Sequence, residues 1–175
     1  QAPGVAKGEA GHEEALALLA ARYAWGHGPI DAADLARWTG LTLTEARRAL
    51  GGALEVAETA GMRLSRRGDA VARADLEDLV ASGRDEARGT FALPAFDELH
   101  VGYRDRTCLT DEAGEALICP AKNGMFRPIV VEGGRVVAVR APGREIVMVK
   151  GYESRQRPAA RACDDWEKWL SETQQ

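Results

Sequence analysis

The first part of the chain carries apolar residues at helical spacing. The helical pattern begins at His12. Four residues, Leu16, Leu19, Ala20 and Tyr23, fall at positions i, i+3, i+4 and i+7, which share one face of an α-helix. Gly26, Gly28 and Pro29 are expected to end this helix. The pattern predicts an amphipathic first helix with one buried face.

Two further helices are predicted from the residues that would cap them. Asp31 can accept hydrogen bonds from the unpaired N–H groups of a first turn, so a second helix is expected to start there and to end at Gly40. Thr42 and Glu45 have the spacing of a capping box and predict the start of a third helix. The paired glycines Gly51-Gly52 are expected to close it.

A β-hairpin is predicted after the third helix. Leu54-Glu55-Val56 alternates apolar and polar residues as a strand does, Gly61 permits a turn, and residues 62–68 could return as the second strand. Three short helices and a hairpin form a winged helix-turn-helix plan. Residues 75–81 predict one more short helix.

From residue 91 the hydrophobic period changes from helical to twofold. Residues 91–96 predict an edge strand because they contain Pro94, and residues 128–131, 135–139 and 145–149 predict an antiparallel meander. Together these strands predict a small barrel or a strongly coiled sheet. Pro158 is expected to open a last amphipathic helix whose apolar stripe runs from Ala159 to Leu170.

The fold class predicted is α+β, with a winged helix-turn-helix domain, a small antiparallel β-barrel or coiled sheet, and a C-terminal helix. The expected organisation is a flexible lead-in over 1–11, the winged helix-turn-helix domain over 12–82, a linker over 83–90, the barrel-like domain over 91–153, and the C-terminal amphipathic helix and tail over 154–175. The first residues have neither an initiating Met nor the apolar core of a signal peptide, which favours a fragment of a longer chain.

Composition restricts the function classes without selecting one. The 175 residues are 45% hydrophobic and 29% charged, which excludes a disordered or collagenous chain, and no apolar run approaches a membrane span. The three cysteines are too widely spaced for a zinc site or a disulfide framework and favour a reducing cytoplasm. The net charge is −4, but residues 99–157 hold an excess of Lys and Arg between acidic flanks, which permits a polyanion-binding face.

The third helix is the candidate recognition helix. A winged-helix domain places this helix in the DNA major groove, where Arg47 and Arg48 could contact guanine or phosphate. Three further arginines, Arg63, Arg66 and Arg67, would contact the DNA backbone from the wing. The alternative is that these are solvated charges on a domain that packs against protein, and neighbouring glutamates would repel phosphate.

Two stretches of the second half carry unusual chemistry. Asp97 and Glu98 could act as paired carboxylates, but adjacent strand residues point to opposite faces. The stronger reading is a structural network that pins the two domains together, drawn from Asp97, Tyr103, Arg104, Asp105 and Arg106. Beyond it, Lys122, Asn123 and Arg127 belong to an exposed loop that could press on a sugar-phosphate backbone. The alternative there is a buried Phe126 that anchors a turn.

No catalytic or cofactor motif accompanies these stretches. His12, His27 and His100 lack metal-ligand spacing, and the sequence contains no nucleophile elbow, P-loop or dinucleotide fingerprint. The sequence therefore predicts no cofactor, no metal and no catalytic residue.

Three stretches together resemble one family, the AlkZ/YcaQ-like winged-helix DNA-binding proteins, a class of bacterial DNA glycosylases. Their order and spacing agree, and the resemblance covers about residues 12–170. The stretches are residues 28–42, residues 93–98 with 102–106, and residues 123–128 followed by 134–137.

The resemblance implies binding of duplex DNA and hydrolysis of the N-glycosidic bond of alkylated or crosslinked purines. It also implies a catalytic Gln-x-Gln or Gln-x-Asp motif in the N-terminal half of a protein about twice this length. The glutamines here, Gln1, Gln156, Gln174 and Gln175, form no such motif.

We therefore expect the C-terminal, DNA-binding portion of such a protein, itself inactive, in the cytoplasm. Its expected partners are double-stranded DNA and the missing N-terminal half of its chain, with no membrane. The alternatives are a winged-helix transcription factor or protein-interaction module, and a relative that binds DNA without glycosylase chemistry.

Overall fold

The computed structural model describes residues 9–173. These residues fall into two units. The first holds the described residues up to Ala81 together with Gly102–Arg104, and the second holds Ser82–Val101 and the described residues from Asp105 onward. The helices are α1 Glu9–His27, α2 Ala32–Thr39, α3 Leu43–Thr59, α4 Leu76–Gly83, α5 Glu98–Val101, α6 Glu112–Ile118 and α7 Gln156–Thr173. The strands are β1 Leu64–Arg67, β2 Ala70–Arg73, β3 Thr90–Leu93, β4 Ile129–Glu132, β5 Arg135–Arg140 and β6 Ile146–Met148.

The starts of α2 and α3 are fixed by side-chain caps. Asp31 Oδ1 accepts hydrogen bonds from the N–H groups of Ala33 at 2.7 Å and Asp34 at 2.9 Å. Thr42 Oγ1 accepts from the Glu45 N–H at 3.3 Å, and the Glu45 carboxylate accepts from the Thr42 N–H at 2.8 Å. These bonds satisfy N–H groups that a first turn leaves unpaired. The predicted starts of both helices are confirmed.

Small side chains form the contact between α1 and α3. A Cβ atom added at Gly52 would lie 3.2 Å from the Cβ of Ala17, so the two helices approach closely there. Fully buried Leu35, Ile30 and Val71 add larger side chains to the same core. The buried residues of this core are Ala20, Ala21, Tyr23, Ala24, Ile30, Leu35, Ala46, Ala49, Leu50, Ala53, Ala57 and Val71.

The predicted strand at Leu54–Val56 is wrong, because α3 continues through both glycines to Thr59. Ala53 and Ala57 are fully buried and extend the packed stripe of α3 against α1. Tertiary packing of this stripe outweighs the local preference of Gly51-Gly52 for a turn.

The hairpin lies further along the chain than predicted. Strands β1 and β2 pair antiparallel, and Ile30 forms an isolated bridge to Val71, with both N···O distances near 3 Å (3.0 and 2.9 Å). Gly28, just before this bridge, passes so close to β2 that an added Cβ would lie 2.7 Å from the Cα of Ala72. Only glycine fits this approach.

The second unit is built on an open four-stranded antiparallel sheet with the order β3-β4-β5-β6. The β4-β5-β6 meander is confirmed, and β3 lies at an edge as Pro94 predicted. The expected closed barrel is wrong for the part of the chain that the structure describes. Between β3 and β4 the chain forms helices α5 and α6 in place of strands, so too few strands are present to close a barrel.

Both faces of this sheet are covered. One face carries a cluster of Val130, Val137, Ala138, Ala159 and Cys163, in which the last two residues come from α7. The predicted stripe of α7 therefore packs on the sheet, although Trp169 in that stripe is 57% exposed. The other face packs under α6 and its neighbouring loops, through the buried residues Leu109, Ile118, Ile129, Val131, Val136, Val139 and Val149.

Several boundary predictions differ from the structure. The expected lead-in over 1–11 lies outside the described residues up to position 8, and positions 9–11 belong to α1. In the expected linker over 83–90, Glu86–Arg88 forms a short 3-10 helix. None of the helices within residues 9–173 combines the length and hydropathy needed to cross a bilayer.

The continuous α3 predicts that Gly51→Ala raises the free energy of unfolding by about 0.5–1 kcal/mol. Alanine loses less conformational entropy than glycine in a helix interior, and an added Cβ at Gly51 would meet nothing within 4 Å. Urea denaturation followed by circular dichroism measures this change.

Gly52→Ala is the matched control, because its added Cβ would press on Ala17 at 3.2 Å. We expect it to stabilise the protein less than Gly51→Ala does. A destabilising Gly51→Ala would contradict the continuous helix, since it would indicate a turn that needs glycine.

Candidate nucleic-acid interface

The two arginines predicted on the recognition helix differ in their surroundings. Both are exposed near the start of α3. Arg48 Nη1 donates to Glu13 Oε1 at 2.7 Å, and this hydrogen bond raises the pKa of the Arg48 guanidinium. Arg47 makes no ion pair within residues 9–173. Arg47 therefore presents an uncompensated charge, whereas the charge of Arg48 is balanced by its own protein.

The arginines of the hairpin divide in the same way. Arg67 donates two hydrogen bonds to the Glu77 carboxylate, one from Nη1 to Oε1 and one from Nη2 to Oε2 at 2.6 Å. Arg66, its neighbour on β1, is exposed and pairs with no carboxylate in the described chain, and Arg63 before the strand is also exposed. Arg66 remains available to an external anion, whereas Arg63 attracts the Asp75 carboxylate, whose pKa is lowered mainly by the hydrogen bond from Arg73 and also by the charge of Arg63.

A further arginine of the hairpin, Arg73, was missed by the sequence reasoning. Its Nε and Nη2 atoms each donate to the Asp75 carboxylate at 2.9 Å. Its guanidinium also lies 3.9 Å from the ring centroid of Trp25, a cation–π contact. Arg73 is the basic residue at the end of the second strand. The sequence prediction missed it because it placed the hairpin too early in the chain. Arg73 holds β2 to α1 and to the turn before α4.

An acidic groove lies between α1 and α3. It encloses about 590 Å³, and its lining includes Glu13, Glu14 and Glu55 together with Arg48 and small apolar residues. These carboxylates would repel a phosphate backbone. Arg47 is not among the residues that line this groove.

The loop predicted to press on a nucleic-acid backbone is internally braced. Asn123 Oδ1 accepts a hydrogen bond from the Met125 N–H at 3.0 Å, and Arg127 Nη1 donates to the Leu117 carbonyl at 3.3 Å. Lys122 is exposed. Of the three predicted contact residues, Lys122 is the one whose side chain makes no hydrogen bond or ion pair within residues 9–173.

Phe126 is half-buried and packs beneath this loop, whereas the alternative interpretation predicted a buried Phe126. Its ring packs against the second-unit core and meets the ring of His100 at a centroid distance of 5.0 Å. His100 is itself buried, with Nε2 at 3.1 Å from Glu115 Oε1. The loop is thereby tied to the interior of the second unit.

The charged residues of the predicted structural network have local partners. Asp97 Oδ1 accepts from the Leu99 N–H at 2.9 Å and caps α5. Asp105 Oδ1 accepts from the N–H and hydroxyl of Thr107. Arg106 Nε lies 3.0 Å from the same Glu115 oxygen that His100 contacts. These bonds shape the turns around α5 and support α6.

Tyr103 and Arg104 fasten their segment to the first unit. The Tyr103 hydroxyl donates to the His27 carbonyl at 2.8 Å, and the Arg104 N–H donates to Asp34 Oδ1 at 2.8 Å. The Asp34 side chain belongs to the capping box of α2, so one carboxylate serves both a helix start and this attachment. Two hydrogen bonds, one to a backbone carbonyl and one from a backbone N–H, thus attach residues 102–104 to the first unit.

The remaining reactive side chains give no metal site. Within residues 9–173 no three His, Cys, Asp or Glu side chains form a group that could hold a metal ion. Cys163 is buried, and this burial raises the pKa of its thiol. Cys108 is exposed in the turn before α6, whereas Cys119 is buried.

Two comparisons with known proteins found a match, and both matches are to DNA glycosylases. The model of a family described as "DNA glycosylase AlkZ-like" matches residues 2–150. The fold is similar to that of Streptomyces sahachiroi DNA glycosylase AlkZ, with a TM-score of 0.53 and 23% sequence identity, over 86% of this chain and 43% of that chain. The chain thus spans less than half the length of that structure. Comparison with curated proteins found no match.

The ion pair on the hairpin predicts a measurable pKa. The hydrogen bonds from Arg67 lower the pKa of Glu77 below its ordinary value of 4.5. Because the folded pKa is the lower one, the pair stabilises the protein above about pH 4.5, and this contribution is lost as the pH falls through the folded pKa. We expect Arg67→Gln to raise the pKa of Glu77, as measured by carbon-13 NMR titration of the carboxylates.

Glu45 provides the internal control for this titration. The hydroxyl of Thr42, and not an arginine, is the main cause that lowers the pKa of Glu45. Its pKa should be the same in wild type and in Arg67→Gln. A Glu77 pKa that does not respond to the substitution would show that the pair does not form in solution.

Proposed function

Because the chain belongs to the AlkZ-like DNA glycosylase family, we propose that it binds duplex DNA as part of a base-repair protein. The observation that carries this proposal is the family match over residues 2–150, joined with uncompensated arginines on α3 and on the hairpin. In this proposal α1–α3 and the β1–β2 hairpin act as a winged helix-turn-helix.

The proposed contacts in the first unit are arginines of two kinds. Arg47 would enter the major groove from α3, and Arg63 and Arg66 would contact phosphates from the wing. Arg48 and Arg67 would contact phosphate only by giving up their ion pairs with Glu13 and Glu77. The loss of these pairs offsets much of the binding free energy that the phosphate contacts would contribute. Arg47 and Arg66 therefore provide most of the binding, and Arg63 adds a contact that its attraction to Asp75 weakens.

In the second unit we propose that Lys122 contacts the sugar-phosphate backbone. Asn123 and Arg127 support that contact indirectly, because their side-chain bonds fix the backbone of the loop on either side of its tip. An exposed lysine offers a phosphate a point charge, and the bonds of its neighbours reduce the cost of ordering the loop backbone but not that of ordering the lysine side chain.

We propose that glycosidic-bond hydrolysis resides outside these 175 residues. The printed sequence has no Gln-x-Gln or Gln-x-Asp, the motif that the family resemblance implies. On this proposal the 175-residue chain works in the cytoplasm together with the catalytic half of its protein, and it grips DNA without cleaving it.

A protein-interaction module is the second candidate function. It is favoured by the acidic groove between α1 and α3, since three carboxylates beside small apolar residues suit a basic partner and not a phosphate backbone. This function predicts weak, salt-insensitive behaviour toward DNA.

Duplex binding should weaken steeply with salt, because each phosphate that a cation neutralises releases condensed counterions. We expect Arg47→Ala and Arg66→Ala each to weaken binding and to lower the slope of log K against log salt by about 0.9. Fluorescence anisotropy of a labelled duplex, at several salt concentrations, measures both quantities.

Arg161→Ala is the charge-matched control, because Arg161 lies on α7 and pairs weakly with Asp165 at 3.8 Å. Arg48→Ala should fall between the control and Arg47→Ala. Equal effects of Arg47→Ala and Arg161→Ala would remove α3 from the interface, and absent or salt-insensitive binding would favour the interaction module.

The chain itself should release no base from alkylated DNA. Chromatography of methylated duplex DNA after incubation with the chain measures released purines directly. Release above the rate of a protein-free control would place the hydrolytic residues within these 175 residues and overturn the division proposed here.

A further inference from the structure

One exposed aromatic residue of the second unit has an unusual backbone. Phe96 has φ 63° and is 51% exposed. The left-handed region is disfavoured for a bulky residue, so the surrounding structure must hold Phe96 in place. Neither hydrophobic burial nor glycine-like freedom accounts for a phenylalanine at this position.

The ring of Phe96 is supported from beneath. It meets the ring of Phe126 edge to face, at a centroid distance of 5.6 Å and an interplanar angle of 80°. Phe126 rests in turn on the buried ring of His100. On the chain side, the Asp97 carbonyl accepts from the His100 N–H at 2.9 Å and starts α5 immediately after Phe96. The exposed ring is therefore backed on one side by a ring that packs on the core of the second unit.

The same ring contact places Phe96 beside the loop that carries Met125. Met125 is 65% exposed and directly precedes Phe126. Its backbone N–H is held by Asn123, and exposed Lys122 lies in the same loop. An exposed aromatic ring, an exposed thioether and a cation thus occur together on the second unit.

We propose that Phe96 and Met125 form a wedge that enters a base step of duplex DNA, with Lys122 on the adjacent phosphate. This inference rests on the proposed function. Phenylalanine and methionine are among the side chains that proteins insert between base pairs, and the partial unstacking that follows favours removal of a base from the helix. The cation Lys122 beside the two apolar side chains suits a phosphate. An apolar protein surface would need no cation at this position.

The test uses the full chain and a duplex that contains 2-aminopurine, whose fluorescence rises when its stacking is lost. Wild type should raise this fluorescence on binding. Phe96→Gly should abolish the rise and weaken binding about tenfold, in line with the loss of one stacking contact. Because glycine accepts a positive φ, this variant should remain as thermally stable as wild type.

Met125→Ala should reduce the rise in part, and Trp169→Ala should leave it unchanged, since Trp169 is an equally exposed aromatic on α7. Salt-dependent binding without a rise in fluorescence, or with a rise that Phe96→Gly leaves intact, would overturn the wedge and retain the proposed DNA binding. No binding by wild type would overturn both. Binding of a protein by the patch, with no effect of Phe96→Gly on DNA, would also exclude the wedge.

Discussion

The close packing of α1 against α3 is the constraint on which the first unit depends. Buried alanines and Gly52 let the two helices approach until an added methyl group at Gly52 would press on Ala17. Larger side chains at this contact would move the helices apart. The packing therefore fixes which face of α3 is buried, and it leaves Arg47 on the outer surface.

Ion pairing within the protein then decides which cations can serve an external partner. Arg48, Arg67 and Arg73 each bind a carboxylate of their own unit, whereas Arg47 and Arg66 pair with none in the described chain. The net charge of −4 is a poor guide to binding for this reason, because many of the charges cancel locally. What matters for a polyanion is the remaining set of uncompensated arginines and where the fold places it.

The second unit combines a sheet that is covered on both faces with an exposed apolar patch, formed by Phe96 and Met125. The sheet buries both of its faces, one under α7 and the other under α6 and its loops. Phe96 and Met125 stay exposed although an apolar core lies directly behind them. The positive φ of Phe96 shows that the surrounding structure, and not local preference, sets its orientation.

The sequence by itself determined the elements that short-range chemistry controls. The caps at Asp31 and Thr42, the β4-β5-β6 meander and the amphipathic stripe of α7 are local patterns of hydrogen bonding and side-chain period, so they could be read directly. Only the tertiary structure decided that α3 continues through its glycines, that the sheet stays open, and which arginines are neutralised. Those outcomes depend on contacts between residues far apart in the chain, such as Glu13 with Arg48, and no local pattern encodes them.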